Sequence, residues 1–321
     1  MSRDRSVTGA FTLIELLVAT AVLALILVLF LKIISVTTSV TKRAGDTISS
    51  FQDVRAALDI LTTNISQATI NAYWGYDDPN TPTKYQRESG LHFLITRAGG
   101  SYPGTAGTGH AIFYQAPLGT VSGLATHGEL NNLINACGYY IEYGNDAGPF
   151  GLQSDYGYRL MQAVEPAESL KVYLASSQTS GLDWVANLSS FAVPIAKNII
   201  YLAAWPRRPP AEDPAGTALT ADFTYNSRTD NTSNPQPETA NQLPPTVQIM
   251  LVALDEASAR KMKSGSTPPT EVSGVFTGLF SSSSATSFKS DLKTMQERLA
   301  AQKLNARIFT TIVPIRESKM Q

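Results

Sequence analysis

The feature that most constrains this chain is an apolar run close to its first residue. From Phe11 to Leu31 there are 21 residues, and Glu15 is the only charged one. An α-helix rises about 1.5 Å per residue, so this run forms a helix of roughly 31 Å, the thickness of a bilayer's hydrocarbon core. The sequence therefore predicts one membrane-spanning helix.

The residues around this run indicate its orientation. Arg3 and Arg5 precede it, which by the positive-inside tendency predicts a cytoplasmic N-terminus and an extracytoplasmic remainder. A cleaved secretory signal fits poorly, because the small-residue site at 19–21 follows only about eight apolar residues and the run continues past it. A plain signal anchor explains the length but not Glu15, since a carboxylate at mid-bilayer is unfavourable by about 2.5–3.5 kcal/mol.

Residues 9–18 read GAFTLIELLV, which resembles the cleavage and methylation motif of type IV prepilins and pseudopilins. The resemblance implies that a prepilin peptidase removes residues 1–10 as a leader and methylates the new N-terminus at Phe11. Glu15 is then the fifth mature residue, where this family keeps a glutamate. The implied role of Glu15 is to pair with the N-terminal amine of a neighbouring subunit and so set the register between helices. The first turns of a helix also favour negative charge.

The implied cleavage site departs from the family pattern at one position. Ala10 stands before Phe11 where the family usually has glycine, and Gly9 lies one place earlier. The resemblance therefore leaves two candidate bonds for cleavage, Gly9–Ala10 and Ala10–Phe11.

Beyond Leu31 the apolar residues recur every three or four positions with charged residues between them, which predicts that the helix continues in amphipathic form. The transmembrane half is assigned to residues 11–34 and the amphipathic half to residues 35–73, with the helix ending near 68–73. No proline interrupts it.

The rest of the chain is predicted to form a β-rich head. The head comprises residues 74–206, a mobile Pro/Thr/Asn-rich surface loop at 207–245, and a C-terminal strand–helix–strand part at 246–321. The predicted strands are 91–96, 111–115, 137–143, 158–164, 199–205, 246–254 and 306–315. The fold class is α+β: a long N-terminal helix packed on an antiparallel sheet, with an added C-terminal strand–helix–helix–strand layer.

Two further resemblances concern the body of the chain. The stretches 198–200, 243–249 and 307–311 are similar in order to elements of the large J-type minor pseudopilins of type II secretion. The stretches 252–259 and 309–316 resemble more closely the Verru-Chthon cassette protein C group, which are large prepilin-like proteins of unestablished biochemistry.

Composition and motifs offer little for catalysis. The formal net charge is −1, which gives no reason to expect nucleic acid as a partner. The single cysteine, Cys137, cannot form an intrachain disulfide and is predicted to be a core residue. The histidines are His92, His110 and His127, and none has a zinc-ligand spacing. We expect no cofactor and no enzymatic activity.

Calcium is the one metal for which the chain offers candidate ligands. Asp77, Asp78 and Asp146 lie in acidic loops with the hard oxygen ligands that calcium prefers. None of them lies in an EF-hand pattern, and acidic loops are usually solvated. We therefore assign no metal site.

The sequence favours a structural subunit, a minor pseudopilin of a type II secretion or type IV pilus-like filament. The resemblance implies other pilin-like subunits as partners, a prepilin peptidase as processing enzyme, and a single-pass place in the bacterial inner membrane with a periplasmic head. One alternative is a signal-anchored extracytoplasmic enzyme, which predicts an uncut N-terminus. Another is a pilin-anchored adhesin or binding module that uses Tyr73, Trp74 and Tyr76.

Overall fold

The chain is α+β, with an N-terminal apolar helix followed by antiparallel sheets and further helices. It divides into two compact units, one ending at Ile48 and the other beginning at Ser49. The computed structural model describes residues 12–78, 80–97, 108–129, 133–145, 156–174, 183–229, 233, 235–262 and 265–320, with backbone alone at 42–44 and 46–50.

The first helix, α1, covers Leu13–Ser66. Its end is fixed by a tertiary contact, because the Thr69 amide donates to the Gln115 carbonyl at 2.9 Å and forms an isolated bridge. The sequence predicts an end near residues 68–73, and the helix stops slightly earlier for this reason. The pairing draws the chain into extended backbone before the predicted end.

The described residues contain eleven strands and five shorter helices. The strands are β1 (Tyr73–Tyr76), β2 (Tyr85–Glu88), β3 (Leu94–Arg97), β4 (His110–Ala116), β5 (Asn135–Asn145), β6 (Tyr156–Glu165), β7 (Ala192–Lys197), β8 (Ile199–Arg207), β9 (Tyr225–Asn226), β10 (Thr246–Leu254) and β11 (Ala306–Pro314). The helices are α2 (Leu124–His127), α3 (Asp183–Leu188), α4 (Glu256–Lys261), α5 (Thr270–Phe276) and α6 (Ala285–Ala301).

The strands form three antiparallel sheets, where the sequence predicts one. A six-stranded sheet has the order β7-β6-β5-β4-β3-β9, a three-stranded sheet has the order β11-β10-β8, and β1 and β2 form a separate hairpin. The C-terminal strands β10 and β11 therefore extend β8 rather than the six-stranded sheet, with α4, α5 and α6 between them in sequence.

Successive side chains of a strand point to opposite faces of its sheet. Side chains on both faces of the six-stranded sheet are buried, and they belong to two separate clusters. On one face Phe113 and Tyr140 pack in a cluster with Trp184 of α3. On the other face lies the main core, which contains Ile112 and Tyr139 together with side chains of β8, β10 and α1. This double burial explains why the strands read as nearly continuous apolar runs.

The C-terminal part of α1 belongs to the second unit and packs into this main core. Its buried side chains follow the three- and four-residue spacing of one helix face: Val54, Ala57, Leu61, Ile65, with Ala68 just past the helix end. The Asn64 amide donates to the Tyr139 hydroxyl at 2.9 Å, and the Gln162 amide donates to the same oxygen at 2.9 Å. These polar contacts fix the position of the helix on β5 and β6.

The six-stranded and three-stranded sheets approach closely at the start of β4. Gly109 has a φ of +84°, and a Cβ atom there would lie 2.5 Å from the Leu202 carbonyl oxygen. The next residue, His110, accepts a hydrogen bond from the Ala204 amide at 3.0 Å through Nδ1. Only glycine permits both this backbone conformation and this separation.

The segment predicted as a surface loop, 207–245, contributes to the folded core. Strand β9 pairs with β3, and Phe223 and Leu243 are almost completely buried. Arg207 stacks on the Trp205 ring at 4.3 Å, and its guanidinium donates to Gln248 at 3.0 Å. The predicted mobility of this segment stays a prediction.

Candidate functional site

The N-terminal end of α1 carries the residues singled out by the sequence, and it is built as a helix cap. The helix begins at Leu13, so Thr12 is its N-cap and Glu15 is the third helical residue. The Thr12 amide and hydroxyl both donate to Glu15 Oε2, at 2.8 and 2.9 Å, and the Glu15 amide donates to Thr12 Oγ1 at 3.3 Å. This reciprocal arrangement is a capping box.

The capping box gives Glu15 a partner within its own chain. It satisfies backbone donors of the first turn that no helical carbonyl can reach. The T-x-x-E spacing of Thr12 and Glu15 is visible in the sequence, and it is the signal by which this cap could have been predicted. A pairing with a neighbouring subunit is therefore not required to explain why a carboxylate stands here.

The predicted cleavage and methylation site, Gly9, Ala10 and Phe11, lies outside the described residues. Processing before Phe11 and methylation of that residue therefore stay predictions. The described chain begins one residue later, at Thr12.

The surface that follows the cap is apolar on every side. Leu13–Thr41 is a helical segment of 29 residues that is long and apolar enough to cross a membrane. No residue in its most apolar stretch of 18 residues is buried. Leu16, Leu23 and Phe30 are each 63% exposed. A helix that is hydrophobic all round needs lipid or other helices around it. Such a segment is compatible with a membrane anchor or with a signal sequence.

The described titratable side chains do not assemble into a metal-binding cluster. No group of three or more histidine, cysteine, aspartate or glutamate side chains converges within the part of the chain that the structure describes. His92 bonds Asn226 at 2.7 Å, and His127 lies 3.9 Å from Glu168. Burial, with a smaller contribution from the Arg97 charge, lowers the pKa of His110 to about 3, so this imidazole is neutral at physiological pH.

Cys137 is a core residue, as predicted. It is 1% exposed, and burial raises the pKa of its thiol well above the ordinary value. The thiolate is the reactive form of cysteine, so the folded chain holds this thiol in an inert state.

The described calcium candidates, Asp77 and Asp78, accept hydrogen bonds from residues of their own loop. Asp77 accepts hydrogen bonds from the amides of Thr83 and Lys84 at 2.9 and 3.1 Å and from the Thr83 hydroxyl. These bonds hold the pKa of the Asp77 carboxyl well below its ordinary value. Asp78 accepts from Asn80 at 2.8 Å, and Asp146 lies outside the described residues. The two described carboxylates therefore order the connection between β1 and β2.

The aromatic residues considered for a binding module are exposed on the β1–β2 hairpin. Tyr73, Trp74 and Tyr76 are 54%, 66% and 46% exposed.

No family model matches this chain, and neither a curated protein nor a solved structure matches it.

Proposed function

We propose that this chain is a prepilin-like structural subunit, a minor pseudopilin. In this proposal the chain is cut before Phe11 by a prepilin peptidase and inserted once in the bacterial inner membrane with a periplasmic head. Its apolar N-terminal helix then assembles with other pilin-like subunits into a type II secretion or type IV pilus-like filament. The observation that carries the proposal is the exposed apolar segment Leu13–Thr41, which overlaps the motif at residues 9–18 and begins directly after the N-cap residue Thr12.

The second support is the continuation of the same helix. The first part of α1 is exposed, whereas its residues from Val54 onward lie in the core of the second unit. A helix that is apolar all round in one part and buried along one stripe in another suits an anchor that also forms part of a head. The antiparallel sheet beneath that stripe is what the resemblance to pseudopilins implies.

The cap is compatible with a register role for Glu15. Both bonds from Thr12 end on Glu15 Oε2, and within the described residues Oε1 accepts no hydrogen bond. After cleavage, the amine of a neighbouring chain can approach Oε1 while Oε2 keeps the cap. A buried carboxylate and amine stabilise each other only when they are close and well oriented, so the pair would favour one axial stagger between helices.

The first test is the N-terminus of the protein recovered from its native membrane. Intact-mass and terminal-peptide mass spectrometry should give a chain that starts at N-methylated Phe11. An intact Met1, or a cut near Ala21, would refute processing by a prepilin peptidase and favour a signal-anchored enzyme instead.

The second test separates the two roles of Glu15. Glu15→Gln keeps an acceptor oxygen for the cap and removes the charge, whereas Glu15→Ala removes both. If the charge sets register, both variants should be cut before Phe11 yet fail to enter filaments, as measured by the processed protein in the sheared filament fraction. Thr12→Ser, which keeps the cap, is the matched control and should assemble normally. Normal assembly of Glu15→Gln would leave only the capping role.

The place of the subunit in the filament follows from the size of its head. A bulky head is difficult to repeat along a tightly packed shaft, so we place the subunit at low copy number, near a tip. Quantitative labelling of isolated filaments measures this directly. Stoichiometric amounts along the shaft would contradict it.

A further inference from the structure

The three tryptophans of the chain lie in two contrasting environments. Trp184 and Trp205 are at most 1% exposed, whereas Trp74 on β1 is 66% exposed. Burying apolar surface is favourable by about 25 cal/mol per Å², so a large exposed indole forgoes a substantial stabilisation of the fold. An exposed indole within a cluster of other exposed aromatic rings marks a contact surface.

Trp74 lies on the same hairpin as several other exposed aromatic rings. Between Ile60 and Ile312 the described chain exposes ten large hydrophobic side chains, and four of them lie on this short hairpin: Tyr73, Trp74, Tyr76, Tyr85. The register pairs Trp74 with Arg87 and Tyr76 with Tyr85, so these side chains share one side of the hairpin. The Tyr85 hydroxyl donates to the Tyr76 hydroxyl at 2.8 Å, and their ring centroids are 4.6 Å apart. We call Trp74, Tyr76 and Tyr85 the aromatic face.

The hairpin is held rigidly even though each strand has four residues. The Arg87 guanidinium donates to the carbonyls of Pro237, Glu238 and Ala240 at 2.6, 3.3 and 3.2 Å. In return, the Asn241 amide donates to the Arg87 carbonyl at 2.6 Å. Rigid aromatic side chains on a fixed backbone lose little conformational entropy when they bind a ligand.

A cleft of about 230 Å³ opens at the base of this hairpin. Trp74 lines it together with Leu243 and with the polar residues Gln242, Glu317 and Lys319. The cleft therefore combines an aromatic ring and an apolar side chain with a few polar side chains.

We infer that this cleft and the aromatic face together bind a neutral carbohydrate chain. The ring of a sugar presents a face of C–H groups with partial positive charge, which suits the negative face of an aromatic ring. Its edge carries hydroxyls that both donate and accept, which suits the amide of Gln242, the carboxylate of Glu317 and the ammonium of Lys319. Ligand sites characteristically combine apolar lining with a few such polar groups.

The charges of the cleft distinguish this ligand from others. The Arg87 guanidinium donates to three backbone carbonyls, and the other two charged side chains that line the cleft, Glu317 and Lys319, have opposite signs. The lining therefore has one net positive charge and lacks the clustered Lys and Arg side chains that a polyanion selects. An apolar peptide would leave the polar groups without partners. The volume is below the about 300–1,000 Å³ of pockets for drug-sized molecules, so it suits one sugar ring, with adjoining rings along the aromatic face.

The experiment uses the full chain in detergent micelles and three soluble neutral probes: cellohexaose, maltohexaose and chitohexaose. Isothermal titration calorimetry should give saturable binding of at least one of them. Tryptophan emission should change with the same midpoint, because Trp74 is the exposed indole while Trp184 and Trp205 are buried. Added salt should leave the affinity unchanged, since no net charge is paired.

The variants assign the binding to the cleft. Trp74→Ala should weaken binding by about tenfold or more, and Trp74→Phe should weaken it less because a ring remains. Val193→Ala, which truncates an apolar side chain that is 54% exposed on β7, is the control and should bind like the original chain. The thermal transition of each variant shows that the fold is retained.

Two results would overturn the inference. One is the lack of saturable binding to all three hexasaccharides in the folded chain. The other is saccharide binding that Trp74→Ala leaves unchanged. Binding of phosphatidylethanolamine–phosphatidylglycerol vesicles that depends on Trp74, without saccharide binding, would assign the aromatic face to a lipid surface instead. None of these outcomes depends on whether the chain is cut before Phe11, so the two proposals fail separately.

Discussion

Truncating Leu61 tests whether the C-terminal part of α1 is an integral part of the head. Leu61 is 0% exposed and lies on the buried stripe of the helix, one turn from Ala57 and Ile65. Removing a buried leucine side chain to alanine lowers the free energy of unfolding by about 2–5 kcal/mol, through lost burial and the cavity left behind. Alanine is an excellent helix former, so the helix itself is not weakened.

The adjacent residue provides a matched control. Ile60 is 43% exposed, and Ile60→Ala combines a small loss of burial with a gain in helix propensity, so its effect should stay within about 1 kcal/mol. For a unit of this size each kcal/mol moves the melting temperature by about 2 °C, so Leu61→Ala should melt about 4–10 °C lower.

The assay is thermal unfolding of the full chain in detergent, followed by tryptophan fluorescence. Trp184 and Trp205 are buried in the second unit, so their emission reports its unfolding. Equal shifts for the two variants, or a shift below about 2 °C for Leu61→Ala, would refute the packing of this helix stripe against the sheet.

Two further predictions concern the close approach of the sheets. Gly109→Ala should destabilise the chain by well over about 1 kcal/mol in denaturant unfolding, because its Cβ would lie 2.5 Å from the Leu202 oxygen at a positive φ. Gly123→Ala, where no atom lies within 4 Å of the added carbon, should change stability little, and equal effects would contradict the assignment. The folded-state pKa of His110 is about 3 and its unfolded value is about 6.5, so the unfolded chain binds the extra proton between these values. Its contribution to stability should be present above pH 6.5 and be lost as the pH falls toward 3, and His110→Phe should flatten the pH dependence of the melting temperature over that range.

Much of the fold could be predicted from local sequence. The runs at 111–115, 137–143, 158–164, 199–205 and 246–254 all lie within observed strands, because buried strands are short, apolar and bounded by turn-forming residues. The added strands β7 and β9 were not predicted. β7 contains Pro194 and is largely exposed, and β9 has two residues, so neither gives an apolar signal.

Of the candidate sites, the helix cap could be predicted from local sequence and the hairpin cleft could not. The cap of Thr12 on Glu15 spans three residues and can be found in the sequence by its spacing. The hairpin cleft could not be predicted, because Trp74, Gln242 and Lys319 are far apart in sequence. The hairpin is held beside residues 237–240 by hydrogen bonds from the Arg87 guanidinium to backbone carbonyls of that segment.

The sequence by itself determined the apolar helix and the α+β class. Both depend on composition and on hydrophobic periodicity over short windows, which do not require knowing which distant segments pair. The tertiary structure decided how the strands are divided among three sheets, which helix face is buried, and which aromatic rings stay exposed. These outcomes depend on pairing between distant segments, where a strand can satisfy its backbone hydrogen bonds with many partners and only side-chain packing selects among them.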